Sequence, residues 1–157
     1  MHNAIINNWN SIVTPKDHIY LLGDVTFGKP GPTNEILSQL NGTKFLVKGN
    51  HDHHIERDYK DQFAWIKDYA EIYVQDAEQK HGKQMIILFH YSMRVWNRMH
   101  HGSWQLYGHS HGSLPEDSNR SMDVGMDAHN YTPISYNQIK EHMATKTYIP
   151  QDHHLTR

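Results

Sequence analysis

Four short apolar runs in this 157-residue chain each end in a cluster built from glycine, aspartate, asparagine or histidine, and that repetition narrows the folds open to it. Residues 18–22 lead into Gly23-Asp24, and residues 44–48 into Gly49-Asn50-His51-Asp52. Residues 84–89 lead into His90, and residues 104–107 into Gly108-His109-Ser110-His111-Gly112. Runs this short, bounded by glycine and polar residues, read as buried strands. Helical patterns lie between them. Ile5, Ile6, Trp9, Ile12 and Val13 form one stripe over residues 3–13, and Ile36, Leu37 and Leu40 form another over residues 34–40. The alternation predicts an α/β domain with its polar clusters at the carboxyl ends of strands, where the loops of such sheets converge.

The remaining segments fit the same scheme. Residues 23–32, rich in Gly and Pro, read as a loop, as do residues 114–119. Residues 55–66 read as an irregular helix, residues 70–75 and 122–126 as strands, and His81-Gly82 as a turn. Ser135 and Gln138 stand in capping-box spacing and open a final helix over residues 135–146. No repeat or low-complexity linker divides the chain, so residues 1–157 are read as one domain.

Composition excludes several classes. Hydrophobic residues at 37% and charged residues at 20% give a globular balance, not a disordered one. The apolar run at residues 85–89 is too short to cross a bilayer, and the first residues lack a basic, then apolar, secretory pattern. With no cysteine there is neither a disulfide framework nor a thiolate metal site, which fits a cytoplasmic protein. A net charge of −2 without a Lys/Arg run argues against an extended nucleic-acid surface. Fifteen histidines stand out, yet the pairs His53-His54, His100-His101 and His153-His154 read as solvated surface residues. The chemistry has to come from particular positions.

Gly49-Asn50-His51-Asp52 joins a residue that permits a sharp turn to an amide oxygen, an imidazole and a carboxylate, all of which can bind metal or move protons. His109 and His111 stand two residues apart, which on an extended segment puts both imidazoles on one side. Gly-Asp, Gly-Asn-His-Asp, His and Gly-His-x-His, in that order at strand ends, resemble the signature of the calcineurin-like metallophosphoesterases. Trp9-Asn10, the run from Phe89 to Trp96, Val124-Gly125-Met126-Asp127 and Tyr131-Thr132-Pro133-Ile134-Ser135 look like a small bacterial and phage branch of that superfamily.

The resemblance implies an α/β sandwich of two mixed β-sheets flanked by helices, holding two divalent transition-metal ions bridged by a hydroxide. Asp24 would be the bridging carboxylate. Asn50, His90 and His109 would complete the shell of the second ion, and His111 would bind the first. The nitrogen and oxygen donors suit manganese, iron, zinc or nickel, with manganese favoured. His51 would act beside the substrate, on the phosphate or the leaving oxygen, with Asp52 orienting it. Arg94 would reach a phosphate, and Asp127 would be structural.

One departure is expected to matter. Members of the family open with a strand ending in Asp-x-His, and nothing before Asp24 matches it. The literal matches at Asp52–His54, Asp127–His129 and Asp152–His154 follow no first strand and are rejected as replacements. The domain is thus expected to be N-terminally incomplete relative to the family, lacking a first strand, with a single ion in the chain of this sequence. The expected function is hydrolysis of a phosphoester, a diester before a monoester, in a phosphorylated small molecule or a nucleic-acid end. A phosphoprotein phosphatase is disfavoured, because Val25-Thr26-Phe27-Gly28-Lys29 stands where those enzymes carry Asp-Arg-Gly. The competing class is a scaffold that keeps the fold and one metal site without turnover.

Overall fold

The structure, a computed structural model, describes residues 2–25 and 30–147. Thr26–Lys29 of the Gly-rich loop, and the Asp152–His154 and His153-His154 pairs, lie outside the described residues. Helix α1 (His2–Asn10) leads to strand β1 (His18–Leu21), helix α2 (Pro30–Gln39), strand β2 (Thr43–Val47) and a short helix α3 (Ile55–Tyr59). Strands β3 (Ile66–Lys67), β4 (Tyr69–Gln75), β5 (Lys83–Phe89), β6 (Trp104–Tyr107) and β7 (Ser121–Asp123) follow, and helix α4 (Tyr136–Ala144) closes the described fold.

Strands β1, β2 and β3 form one sheet in that order, both pairings parallel. Strands β4 to β7 form a second sheet, antiparallel between β4 and β5 and parallel from β5 to β7. The chain is therefore α/β, with two sheets and flanking helices, and the mixing of strand directions sits in the four-stranded sheet. Leu37, Leu46, Trp9 and Ile55 bury one face of the first sheet under α1, α2 and α3. Leu22 and Val47 meet Ile86, Leu88 and Leu106 of the second sheet, and Ile139 and Met143 of α4 join that core.

Local differences from the sequence reading have physical causes. Helix α2 begins four residues before the predicted start, because Pro30 and Pro32 fall in its first turn, where a missing N–H breaks no helical hydrogen bond. Strand β3 has only two residues, too few for any periodicity to show. The predicted strand at 122–126 stops at Asp123, whose carboxylate accepts from the Gly125 amide at 2.9 Å and turns the chain. Ser135 caps α4 with the full capping box, as its spacing predicted. Trp9 and Asn10 act as a clamp. The Trp9 indole donates to the Asn41 carbonyl at 2.9 Å, and the Asn41 amide donates to Asn10 Oδ1 at 2.8 Å, joining the ends of α1 and α2.

Helix α4 is tied to the end of β4 by Asp76. The Lys140 ammonium lies 2.8 Å from its Oδ2, and the Tyr136 hydroxyl donates to the same oxygen at 2.6 Å. Hydrogen bonds from Lys140 and Tyr136 hold the Asp76 carboxyl well below the usual carboxylate range. A folded-state pKa below the unfolded one stabilises the fold above the unfolded value, and that contribution is lost as pH falls through the folded value. Asp76→Asn is thus expected to lower stability to urea at pH 7, with the gap to the parent closing as pH drops below the ordinary carboxylate range. A gap that stays constant down to pH 2 would show that charge is not its cause.

Candidate metal centre

Strands β1, β2, β5 and β6 deliver their carboxyl ends to one rim, and the predicted clusters meet there. Asp24 Oδ2 lies 3.3 Å from His90 Nε2. The same nitrogen is 3.0 Å from Asn50 Oδ1 and 3.2 Å from His109 Nδ1, which is itself 3.0 Å from Asn50 Oδ1. Four donors from four loops thus face one point.

Their hydrogen-bonding capacity bears on what this point can hold. His90 is 1% exposed, and its Nδ1 lies 2.6 Å from the Leu22 carbonyl oxygen, which can only accept. Nδ1 therefore carries a proton, and with the ring neutral Nε2 presents a lone pair to the centre. Asp24 Oδ2 and Asn50 Oδ1 present lone pairs as well. A proton on His109 Nδ1 could serve one of these contacts, and the others would still oppose acceptor to acceptor. A cation removes the conflict. Nitrogen and oxygen ligands at about 2.0–2.1 Å from a metal stand about 3.3 Å apart in a tetrahedron and about 3.0 Å apart at right angles. The four spacings lie within that span. One carboxylate and three neutral donors, with no sulfur, fit a divalent transition metal.

The backbone is shaped for this convergence. Gly23 has φ +98°, and Asp24, with φ 56°, stands in the left-handed region that L residues rarely enter. A Cβ on Gly23 would lie 2.3 Å from His90 Nδ1, and one on Gly49 would lie 2.4 Å from Asp24 Oδ1 and 2.7 Å from His90 Cε1. Only glycine lets the three loops approach so closely. Asp24 Oδ1 accepts from the His51 amide at 2.9 Å, which leaves Oδ2 for the centre. The Tyr91 ring meets the edges of both His90 and His109, with centroids 4.9 and 4.7 Å away.

Two residues depart from their expected roles. Asp52 was expected to orient His51, but its buried carboxylate accepts from three backbone amides. Those of Asp24 and Gly49 donate to Oδ2 at 2.7 Å each, and that of Val25 donates to Oδ1 at 3.0 Å. It therefore positions the loops rather than the imidazole. His111 was expected to bind the first ion alongside Asp24. It is exposed and paired through Nδ1 with Asp127, whose carboxylate holds the imidazole above the ordinary histidine range. The extended-segment argument fails because His109 and His111 have φ of 60° and 52°, so the alternation of sides does not apply. Asp127, expected to be structural, is the partner of His111 Nδ1. The His51 ring and Arg94 are exposed, His51 directly after Asn50 and Arg94 in the loop after β5. Neither rejected pair within the described residues converges: Asp52 serves the backbone, and His129 Nε2 lies 2.7 Å from the Asp123 carbonyl. The Leu22 carbonyl, which fixes the His90 tautomer, was missed and had no side-chain signal by which to be found.

No family model matches the chain. An uncharacterized protein of Methanocaldococcus jannaschii, MJ1445, is 25% identical over 147 residues, a match that covers 88% of this chain and 73% of that protein. Among solved structures, the protein of unknown function AQ665 from Aquifex aeolicus is similar with a TM-score of 0.66 and 24% identity, covering 89% of this chain and 83% of the other. At that identity the likeness speaks for the fold alone.

Proposed function

We propose that this protein is a divalent-cation-dependent phosphoester hydrolase of the calcineurin-like kind, acting on a phosphodiester in preference to a monoester. The observation that carries the reading is the convergence of side-chain oxygens and nitrogens from Asp24, Asn50, His90 and His109 on one point. These four residues would hold the ion. When bound, such a cation supplies Lewis-acid polarisation of a phosphoryl oxygen and lowers the pKa of a coordinated water. His51, whose amide donates to Asp24 and whose ring is exposed, would stabilise the phosphate or protonate the leaving oxygen. Arg94, also exposed, can pair with a substrate phosphate.

The pairing of His111 with Asp127 favours a second reading, a scaffold that binds one cation without turnover. Metal content after dialysis against manganese, together with hydrolysis of bis(p-nitrophenyl) phosphate, separates the two. Manganese-dependent turnover supports the hydrolase, whereas one bound ion with no hydrolysis supports the scaffold. In an active preparation His51→Ala is expected to lower kcat by about 10²–10⁴-fold, the usual contribution of a positioned acid or base. Manganese affinity should not change, since the His51 side chain is not a ligand. A fall in affinity equal to the fall in kcat would move His51 into the coordination shell.

A further inference from the structure

At the opposite end of β5 from the metal centre is a cavity of about 830 Å³ with no acidic residue in its lining. Lys80, Lys83, Arg98, Arg120 and Lys140 all line it, as do His81, His100 and His101. In a chain of net charge −2 this is a local excess of positive charge that no run of sequence reveals. Lys140 is neutralised by Asp76 and Glu78, so the argument rests on Lys80, Lys83 and Arg98. Among the described residues, Lys80, Lys83 and Arg98 form no ion pair with a carboxylate, although all three ends are exposed. Cations gathered around one concavity give it a positive potential that favours an anion.

The backbone at the rim gives a second, independent observation. Arg98 has φ 59° and His81 has φ 69°, both in the left-handed region, and Gly82 and Gly102 beside them have φ 71° and 94°. Strained non-glycine residues concentrate where a side chain must be held in place. Here the left-handed residues shape the turns that carry Arg98, Lys80 and Lys83. Tyr73, half exposed, presents its ring 4.5 Å beneath the Lys83 ammonium, and Met85 and Met143 extend that wall. A cationic mouth beside an apolar, aromatic wall matches a ligand that joins phosphates to a flat ring. The volume lies within the span of about 300–1,000 Å³ usual for small-molecule sites.

We infer that this cavity is a second ligand site, which takes a small molecule bearing vicinal phosphates, of the nucleoside diphosphate class. It stands apart from the metal centre: the seven residue steps from Lys83 to His90 span about 23 Å of extended chain. The site is independent of the hydrolase reading.

Titration calorimetry of the full chain in EDTA, with ADP, pyrophosphate and adenosine as probes, tests the inference. ADP and pyrophosphate should bind saturably, and adenosine should not. The double variant Lys83→Gln/Arg98→Asn should weaken ADP at least about tenfold, since two charge-assisted hydrogen bonds are lost. Asparagine tolerates the left-handed backbone at position 98, and both positions are exposed, so the fold is not at risk. His90→Ala should leave ADP binding as it was. Absence of saturation with both phosphates would overturn the inference. So would adenosine binding as tightly as ADP, or ADP binding lost in His90→Ala but kept in the double variant.

Discussion

Gly49→Ala is expected to abolish cation binding although every ligand remains in the sequence. A methyl group at this position would sit 2.4 Å from Asp24 Oδ1, 2.7 Å from His90 Cε1 and 2.8 Å from the Asp24 amide nitrogen. None of the three can yield cheaply. Asp24 Oδ1 is bound by the His51 amide, the His90 ring is held by the Leu22 carbonyl, and the Asp24 amide is bound by Asp52. The relief available is to push two donors off the shared point. Loss of outer support alone lowers metal affinity by about 10–100-fold, and displacing two donors should exceed the upper end of that span. Overpacking of this sort costs about 1–3 kcal/mol, a fraction of the stability of a domain this size, so the variant should still fold. Equilibrium dialysis against manganese, with circular dichroism as the folding check, reads both quantities. Asp24→Ala should give the same loss of metal and of any activity by removing the only carboxylate of the shell. If Gly49→Ala keeps the parent's manganese affinity, the close approach of the loops is not what builds the site.

The legible part of this molecule was the part that apolar patterning writes directly. The middle of β5, buried on both faces, reads as the unbroken run Met85–Leu88, while β4 at the sheet edge reads as an alternation of Ala70, Ile72 and Val74 with polar residues. Polar residues directly after such runs pointed to Asp24, Asn50, His90 and His109, because loops at one rim of an α/β sheet are brought together by topology. What could not be read depends on partners chosen in three dimensions. The Asp52 carboxylate accepts from amides 28 and 27 residues away as well as from its own turn, and amides carry no residue identity. His111 sits two residues from His109, yet its left-handed backbone turns it to Asp127. The cationic cavity draws on residues from Lys80 to Lys140, so no local window contains it.

Asp52→Ala is expected to produce the largest loss of stability at this rim, and it separates a positioning role from a catalytic one. The side chain is 3% exposed and satisfies the amides of Asp24, Val25 and Gly49 at once. Each amide left unsatisfied in a buried setting costs about 1–3 kcal/mol. Some of that returns as water reaches the Asp24 and Gly49 amides, which are only partly buried. A net loss of about 3 kcal/mol lowers Tm by about 6–12 °C in a domain of this length. The same carboxylate locks the β1 loop to the β2 loop, so manganese affinity should fall with it. Asp52→Asn makes the sharper test, because it keeps the volume and one acceptor oxygen while turning an amide N–H₂ against backbone donors. It should lower both Tm and metal affinity, whereas His51→Ala should alter neither. Were Asp52 instead the partner of the His51 imidazole, Asp52→Asn would reproduce the kinetic profile of His51→Ala at an unchanged Tm, and the loop-locking role would have to be given up.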